Sequence, residues 1–129
     1  MNSSVKIESK KFNIPVSELD TSFYLNKYDG ETMIVFSSDD KILNYEDNFV
    51  SLKEKLNGKN NIIFYTVEGK SHYPTYSLSS VKKLEEYFAL KNKTKGKKKL
   101  IALKEKQNWN ELYKLDYDFM NIINDFIKS

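Results

Sequence analysis

The sequence predicts an α/β fold in which parallel strands are flanked by helices. Two continuous apolar runs, residues 32–36 (TMIVF) and Ile62–Val67 (IIFYTV), each end at turn residues, which is typical of strands covered on both faces. Between them, residues 46–57 place three apolar side chains at helical spacing and are followed by Gly58, where a helix should end. Because a parallel connection needs a crossover of about ten or more residues, strand, helix and strand in this order predict a βαβ unit.

Two further helices are expected in the second half of the chain. Residues 77–91 carry an apolar face, with Ser77 or Ser79 available as the N-cap. A last helix, for which Asp116 is the expected N-cap, has a broad apolar face that extends almost to the C-terminus. Residues 92–107 lie between these helices and are expected to form a solvated, lysine-rich linker.

The first thirty residues carry weaker patterns. Val5 and Ile7 alternate with polar residues as in an edge strand, and residues 15–24 are compatible with a short helix. A chain of 129 residues is long enough for one domain but too short for two ordinary domains. The expected organisation of residues 1–129 is a single domain with four segments: an N-terminal segment (1–28), the βαβ-type unit with both candidate loops (29–91), the linker (92–107) and a C-terminal helical segment (108–129).

The composition excludes several kinds of chemistry. The chain has no cysteine, which excludes disulfides, thiol nucleophiles and cysteine-ligated metal centres. His72 is the only histidine, so metal sites built on two or three imidazoles are excluded as well. We therefore predict neither a metal nor another cofactor. The sequence contains no signal-peptide core and no apolar window long enough to span a membrane, which predicts a cytoplasmic protein without a membrane partner.

The basic residues are distributed unevenly. All 21 are lysines, and residues 91–106 hold eight of them against one acidic residue, Glu105, whereas the rest of the chain has 13 lysines and 17 acidic residues. Bidentate recognition of phosphates and bases relies on arginine, so the lack of arginine predicts that nucleic acid is not a partner. A solvated linker is the first interpretation of the lysine run. Contact with phosphates or an anionic membrane surface, weakened steeply by salt, is an alternative.

Candidate catalytic residues follow the two predicted strands. Asp39 and Asp40 come directly after the first strand, and His72 follows the second. In an open α/β sheet, the loops at the carboxyl ends of neighbouring parallel strands lie at the same edge. We therefore expect a carboxylate of the first loop to hydrogen-bond the imidazole of His72, the arrangement that orients a catalytic histidine. In the alternative interpretation the aspartates only end a strand, and His72 bonds to nearby backbone.

Three segments resemble parts of the α/β-hydrolase family. The segment MIVFSSDDKIL resembles the acid-bearing strand and turn of that family, with Ser37 in place of the usual glycine, Asp40 as the acid and Leu43 as the closing aliphatic residue. The segment IIFYTVEGKSHYPTYS resembles the last strand and histidine loop, in which Gly69 and His72 match a Gly-x-x-His pattern. The closing segment LDYDFMNIINDFI resembles the helix that ends many members.

The resemblance implies roles for individual residues. Asp40 would be the catalytic acid and His72 the general base of a serine hydrolase that acts on an ester or amide. Asp39 would shape the turn of the acid loop. Tyr73 and Tyr76 would line the mouth of the pocket or pack as aromatic side chains.

The resemblance covers about residues 24–127, which correspond to the last third of a hydrolase domain, so the implied fold is a partial one. The Gly-x-Ser-x-Gly nucleophile elbow of the family is missing from the sequence. We therefore expect the chain to be inactive alone and to need a nucleophile-bearing part of the hydrolase, or self-association, with a small acyl compound as substrate. The alternative is a non-catalytic interaction domain, either a degenerate hydrolase remnant or an unrelated α/β fold.

Overall fold

The computed structural model of the chain describes residues 20–129. The predicted edge strand around Val5 and Ile7 lies outside these residues, and so does the first part of the short helix predicted for residues 15–24. The described residues form a mixed α/β structure with parallel strands, as the sequence predicts.

Within residues 20–129 the sheet consists of two parallel strands, β1 (Thr32–Ser37) and β2 (Ile62–Val67). At the start of the pairing, the Thr32 amide donates to the Asn61 carbonyl at 2.9 Å. At its end, the Ser38 amide donates to the Val67 carbonyl at 3.0 Å. The chains leaving β1 and β2 therefore emerge at the same edge of the sheet.

The expectation that both faces of the strands are covered is wrong. Along β1 only Ser37 is buried and the other side chains are half-buried, while in β2 Ile62 and Val67 are buried but Ile63 is exposed. An apolar run indicates that burial of the strand is favourable, but it does not show which other elements pack on the two faces of the strand. With two strands in the described part of the chain, each strand also has an unpaired edge.

Contacts divide the chain into two compact units. The first comprises residues 20–34 and Asn44–Tyr65, and the second comprises Val35–Leu43 and Thr66–Ser129. Both candidate loops, the one after β1 and the one after β2, belong to the second unit. The single domain predicted for residues 1–129 stays a prediction.

The helical elements of the first unit are α1 (Thr21–Lys27), a π-helical turn (Glu46–Val50) and α2 (Ser51–Lys55), which continues that turn. The helix predicted for residues 46–57 is therefore present, although its first turn is π-helical. Its buried side chains are Phe49 and Leu56, and the Phe49 ring stacks on Tyr45 with centroids 5.1 Å apart. The N-cap of α1 is Asp20, which also accepts a hydrogen bond from Lys55 at 2.6 Å and so joins α1 to α2.

The helices of the second unit are α3 (Leu78–Lys93), α4 (Lys97–Glu105), α5 (Trp109–Leu112) and α6 (Tyr117–Lys128). Two predicted N-caps are confirmed: Ser77 accepts from the Ser80 amide at 3.2 Å, and Asp116 accepts from the Phe119 amide at 3.1 Å. The buried apolar side chains of these helices are Val81, Leu84, Leu112 and Phe119. No helix within residues 20–129 is both long and apolar enough to cross a membrane.

The prediction of a linker for residues 92–107 is wrong, because most of these residues are helical. The first part continues α3 to Lys93, and most of the remainder forms α4, which has no buried residue. Lysine and leucine are good helix formers, so a lysine run is compatible with a helix even where charge repulsion opposes it. The short α5 was also not predicted, because four residues are too few to show a helical period.

Two buried serines of the second unit differ in whether their hydroxyl groups form hydrogen bonds. Ser80 Oγ donates to the Glu111 carbonyl at 2.7 Å and accepts from the Lys114 amide at 3.1 Å. Ser37 Oγ, equally buried, has no hydrogen-bond partner within residues 20–129.

We expect Ser80→Ala to lower the free energy of unfolding by about 1–3 kcal/mol, because it leaves two partly buried backbone groups, the Glu111 carbonyl and the Lys114 amide, without this partner. Ser37→Ala should change that free energy by less than about 1 kcal/mol or raise it, because it removes a buried hydroxyl that has no partner. Urea denaturation of both variants measures the difference. An equal loss of stability in the two variants would contradict this assignment of the hydroxyl groups.

Candidate functional site

Asp40 and His72 meet at the edge of the sheet where β1 and β2 end. The His72 Nδ1 and Asp40 Oδ2 atoms are 2.8 Å apart. The Asp40 side chain is 6% exposed, whereas that of His72 is 40% exposed. The structure therefore confirms the expected hydrogen bond between the two predicted residues, with the carboxylate on the buried side and the imidazole facing solvent.

The second oxygen of Asp40 fixes the acid loop. Asp40 Oδ1 accepts from the Ile42 amide at 2.8 Å and from the Leu43 amide at 3.0 Å. Burial of Asp40 would by itself raise its pKa, but the hydrogen bonds from Leu43, His72 and Ile42 outweigh this effect and hold the pKa below the ordinary value. Asp40 is thus a carboxylate at neutral pH, and since a carboxylate only accepts hydrogen bonds, Nδ1 of His72 carries the proton.

Asp39 has a different role from the one the resemblance implied. Its Oδ1 accepts from the backbone amides of Lys70 and Ser71, both at 3.2 Å. Asp39 therefore holds the histidine loop rather than its own turn. That loop has an unusual backbone, because Gly69 (φ 69°) and Ser71 (φ 50°) both lie in the left-handed region, which Ser71 adopts at some cost.

Lys70 connects the histidine loop to the C-terminal helix. Its side chain is only 6% exposed, and its ammonium group donates to Asp116 Oδ2 at 2.5 Å and to the Tyr76 carbonyl. The Lys70 ammonium, followed by the Phe119 amide, lowers the pKa of the Asp116 carboxyl. Because Asp116 is also the N-cap of α6, one carboxylate joins the histidine loop to the start of that helix.

A backbone bridge strengthens this connection. Tyr76 and Leu115 form an isolated antiparallel pair, flanked by hydrogen bonds from the Ser77 amide to the Lys114 carbonyl (2.8 Å) and from the Asp116 amide to the Thr75 carbonyl (2.9 Å). Nothing in the local sequence pattern distinguishes this pair or the buried Lys70, because both depend on segments about 40 residues apart. Asp116 alone was recognisable, as a helix cap.

The tyrosines that follow His72 pack against one another. Tyr73 stacks on Tyr76 with ring centroids 6.0 Å apart, and Tyr73 also presents an edge-to-face contact to the His72 ring at 6.1 Å. Burial, followed by the nearby Tyr113 and Glu85, raises the pKa of the Tyr73 hydroxyl. These contacts assign the two tyrosines a packing role beside the imidazole, and a role at a pocket mouth stays a prediction.

The arrangement leaves Nε2 of His72 available for proton transfer. In the neutral ring with its proton on Nδ1, Nε2 carries a lone pair, and it has no hydrogen-bond partner within residues 20–129. The neighbouring Ser71 is buried and its amide is held by Asp39, and its hydroxyl makes no hydrogen bond to the imidazole. The described part of the chain also contains no cluster of three or more histidine, aspartate or glutamate side chains that could hold a metal ion.

No protein-family model, curated protein or solved structure matches this chain.

The tautomer of His72 tests the geometry directly, because a single histidine yields one set of imidazole signals. We expect nitrogen-15 NMR of the neutral ring to show the proton on Nδ1. Asp40→Asn should move the proton to Nε2, because the amide that remains to face Nδ1 is a donor while its oxygen stays on the Ile42 and Leu43 amides. Asp47→Asn, at an exposed position, is the control. A wild-type ring with its proton on Nε2 would disprove the hydrogen bond to Asp40.

Acid should destabilise the protein through Asp116. Its pKa is lowered in the folded state, so the stability that its charge contributes is present above the ordinary value of 3.8 and is lost as the pH falls through the folded value. Asp116→Asn keeps an N-cap but leaves the buried Lys70 ammonium without its counter-charge, which should cost about 3 kcal/mol at neutral pH. The variant should also lose less stability than the wild type between about pH 5 and pH 3.

Urea denaturation across this pH range measures both effects. Asp118→Asn is the matched control, since Asp118 lies in the first turn of the same helix, is exposed and forms no ion pair within residues 20–129. Parallel pH profiles for the wild type and Asp116→Asn would show that the Lys70–Asp116 pair does not contribute in this way.

Proposed function

We propose that this chain supplies the acid and the histidine of an α/β-hydrolase-type serine hydrolase. The observation that carries the proposal is the 2.8 Å hydrogen bond from His72 Nδ1 to Asp40 Oδ2, made by a carboxylate whose other oxygen is held by two backbone amides. Catalytic triads require such an acid, which fixes the tautomer and the orientation of the imidazole and leaves Nε2 toward the substrate. The order of strand, acid, strand and histidine along the chain gives further support.

In the proposed reaction, His72 is the general base. Its Nε2 takes the proton of a serine hydroxyl as the serine oxygen attacks the acyl carbon of an ester or amide, and the imidazolium then passes that proton to the leaving group. Asp40 remains a carboxylate throughout and stabilises the imidazolium. A water molecule, activated by Nε2 in the same way, releases the acid product and restores the serine.

The serine would come from a nucleophile-bearing part of the hydrolase or from a second copy of this chain. The apolar residues of the acid loop support a partner at this place, because Ile42 is 67% exposed and Leu43 is also exposed, although their amides hold Asp40. Large apolar side chains that protrude together are typical of a surface that another surface covers. A small acyl compound as substrate and a cytoplasmic location stay predictions from the sequence.

The same exposed side chains favour a second candidate, a non-catalytic interaction domain. In that case the hydrogen bond between Asp40 and His72 would only join two loops, and a partner would be bound without chemistry. The two candidates differ in whether any reactive serine depends on the imidazole of His72.

The test is labelling with a fluorophosphonate, which reacts with activated serines. The tagged full chain is purified with its partners from its native cells, and we expect a labelled band that is lost in His72→Gln. Asp40→Asn should reduce the labelling rate by a factor on the order of 1,000 or more, because the wrong tautomer of His72 is then favoured. The size of the labelled band identifies the chain that carries the serine.

The variants are chosen to leave the fold intact. His72 is substantially exposed, and asparagine at position 40 retains the oxygen that the backbone amides of the acid loop bind. Asp47→Asn, which removes a charge from an exposed position, should label like the wild type. Labelling that persists in His72→Gln, or no labelling of the folded wild type, would favour the interaction domain.

A further inference from the structure

The strongest charge feature of the second unit is a group of exposed lysines on α3, on α4, in the turn between them and at the C-cap of α4. We define this lysine surface by its eight members: Lys91, Lys93, Lys95, Lys97, Lys98, Lys99, Lys104 and Lys106. Every member is exposed, and four of them lie within α4. These four charges are therefore held on one helix, where the sequence predicts a solvated linker.

Within residues 20–129, no lysine of the lysine surface forms an ion pair with an acidic side chain. In the part of the chain that the structure describes, the lysines that form ion pairs are Lys41, Lys55, Lys59, Lys70 and Lys83, none of which belongs to the surface. Lys91 is the one member with a specific contact, 5.7 Å above the Phe88 ring. Glu105 is the single acidic residue in the segment, so seven positive charges remain in excess.

This placement opposes the stability of α4. Lys97, Lys98 and Lys99 occupy the first turn, where the helix dipole disfavours cations. The N-cap, Gly96, provides no side-chain hydrogen bond, and the first turn contains no acidic residue. This unfavourable interaction with the helix dipole is relieved when an extended anionic surface neutralises the lysines.

The residues among the lysines distinguish between anionic partners. Nucleic-acid surfaces usually combine arginine with aromatic side chains on which bases stack, but the chain has no arginine and residues 90–106 contain no aromatic residue. Instead, Leu90 and Ile101 are exposed beside the lysines. Lysines that attract anionic headgroups, with apolar side chains that enter the boundary of the acyl region, are typical of peripheral attachment to a bilayer.

We propose that the lysine surface docks on a bilayer that contains anionic phospholipids, with Ile101 of α4 entering the interface. The attachment is peripheral and electrostatic, and it is therefore weakened by salt. It uses none of the residues of the candidate site, so it stands whether or not Asp40 and His72 are catalytic.

The test is sedimentation of the full chain with vesicles of phosphatidylcholine, with and without phosphatidylserine. With about 30% phosphatidylserine we expect binding that weakens at least tenfold between about 50 and 200 mM salt, and no binding to phosphatidylcholine alone. The triple variant Lys97→Gln, Lys98→Gln and Lys99→Gln should bind about a hundredfold more weakly, since each lysine near an anionic surface contributes about fivefold. Glutamine is nearly as good a helix former as lysine, so α4 should persist, which circular dichroism checks.

A second triple variant has the same net charge and serves as the control. It changes Lys53, Lys82 and Lys128 to glutamine, which are exposed, form no ion pair within residues 20–129 and lie outside the lysine surface. This control should bind vesicles within a few-fold of the wild type. An equal loss in both triple variants would overturn the proposal, because binding would then follow net charge rather than the lysine surface.

The variant Ile101→Ser distinguishes binding to a bilayer from binding to another polyanion. Loss of its apolar side chain should weaken vesicle binding by about tenfold and leave any binding to a short RNA unchanged. Tight binding to RNA together with vesicle binding that Ile101→Ser does not affect would overturn the proposal in favour of a nucleic-acid surface. Failure to bind vesicles with phosphatidylserine at low salt would also overturn it.

Discussion

The parallel pairing of β1 with β2 is the constraint on which the candidate site depends. Because the strands run in the same direction, the loops that follow them leave the sheet at one edge, where the Ser38 amide donates to the Val67 carbonyl at 3.0 Å. An antiparallel pair would place these loops at opposite ends. The direction of the strands therefore brings Asp40 and His72 together, although 31 residues lie between them in the sequence. No local sequence signal indicates that the two side chains meet.

Once the loops are adjacent, consecutive carboxylates fix them in different ways. Asp40 binds the amides of its own turn with one oxygen and the imidazole with the other, whereas Asp39 binds the backbone of the histidine loop. Lys70 then connects that loop to the N-cap of α6. An imidazole on a loop would ordinarily sample several orientations, so these contacts together are what a preorganised histidine needs.

The sequence predicted most of the elements that carry their own local signals. The apolar runs predict β2 with its bounds and β1 to within one residue. Capping chemistry predicts the caps Ser77 and Asp116, and the geometry of parallel strands predicts the meeting of Asp40 with His72. These signals lie within a few residues or follow directly from strand direction. The resemblance to the hydrolase family and the function that it implies stay proposals.

Features that depend on distant segments could not be predicted. The environment of Lys70 is set by Asp116 and by the Tyr76–Leu115 bridge, and a lysine in a loop looks the same in sequence whether it is buried or solvated. The burial of the strands likewise depends on which elements cover them. The helical state of α4 differs from the prediction for a local reason, because the charge of a lysine run indicates a solvated segment while the helix propensity of lysine favours a helix.

Comparison of Lys70 with the lysine surface shows how little the net charge of +3 says about this molecule. The ammonium group of Lys70 is withdrawn from water, and it is satisfied by a carboxylate and a carbonyl, so its charge contributes to the internal structure of the second unit. The lysines of the surface form no ion pair within residues 20–129, and three of them lie where the dipole of α4 disfavours cations, so their charge contributes nothing to holding the fold together. A chain that needed only solubility could spread the same charges over its surface, where they would interact weakly. Their concentration on α4 and the end of α3 is therefore best explained by attraction to an extended anionic surface.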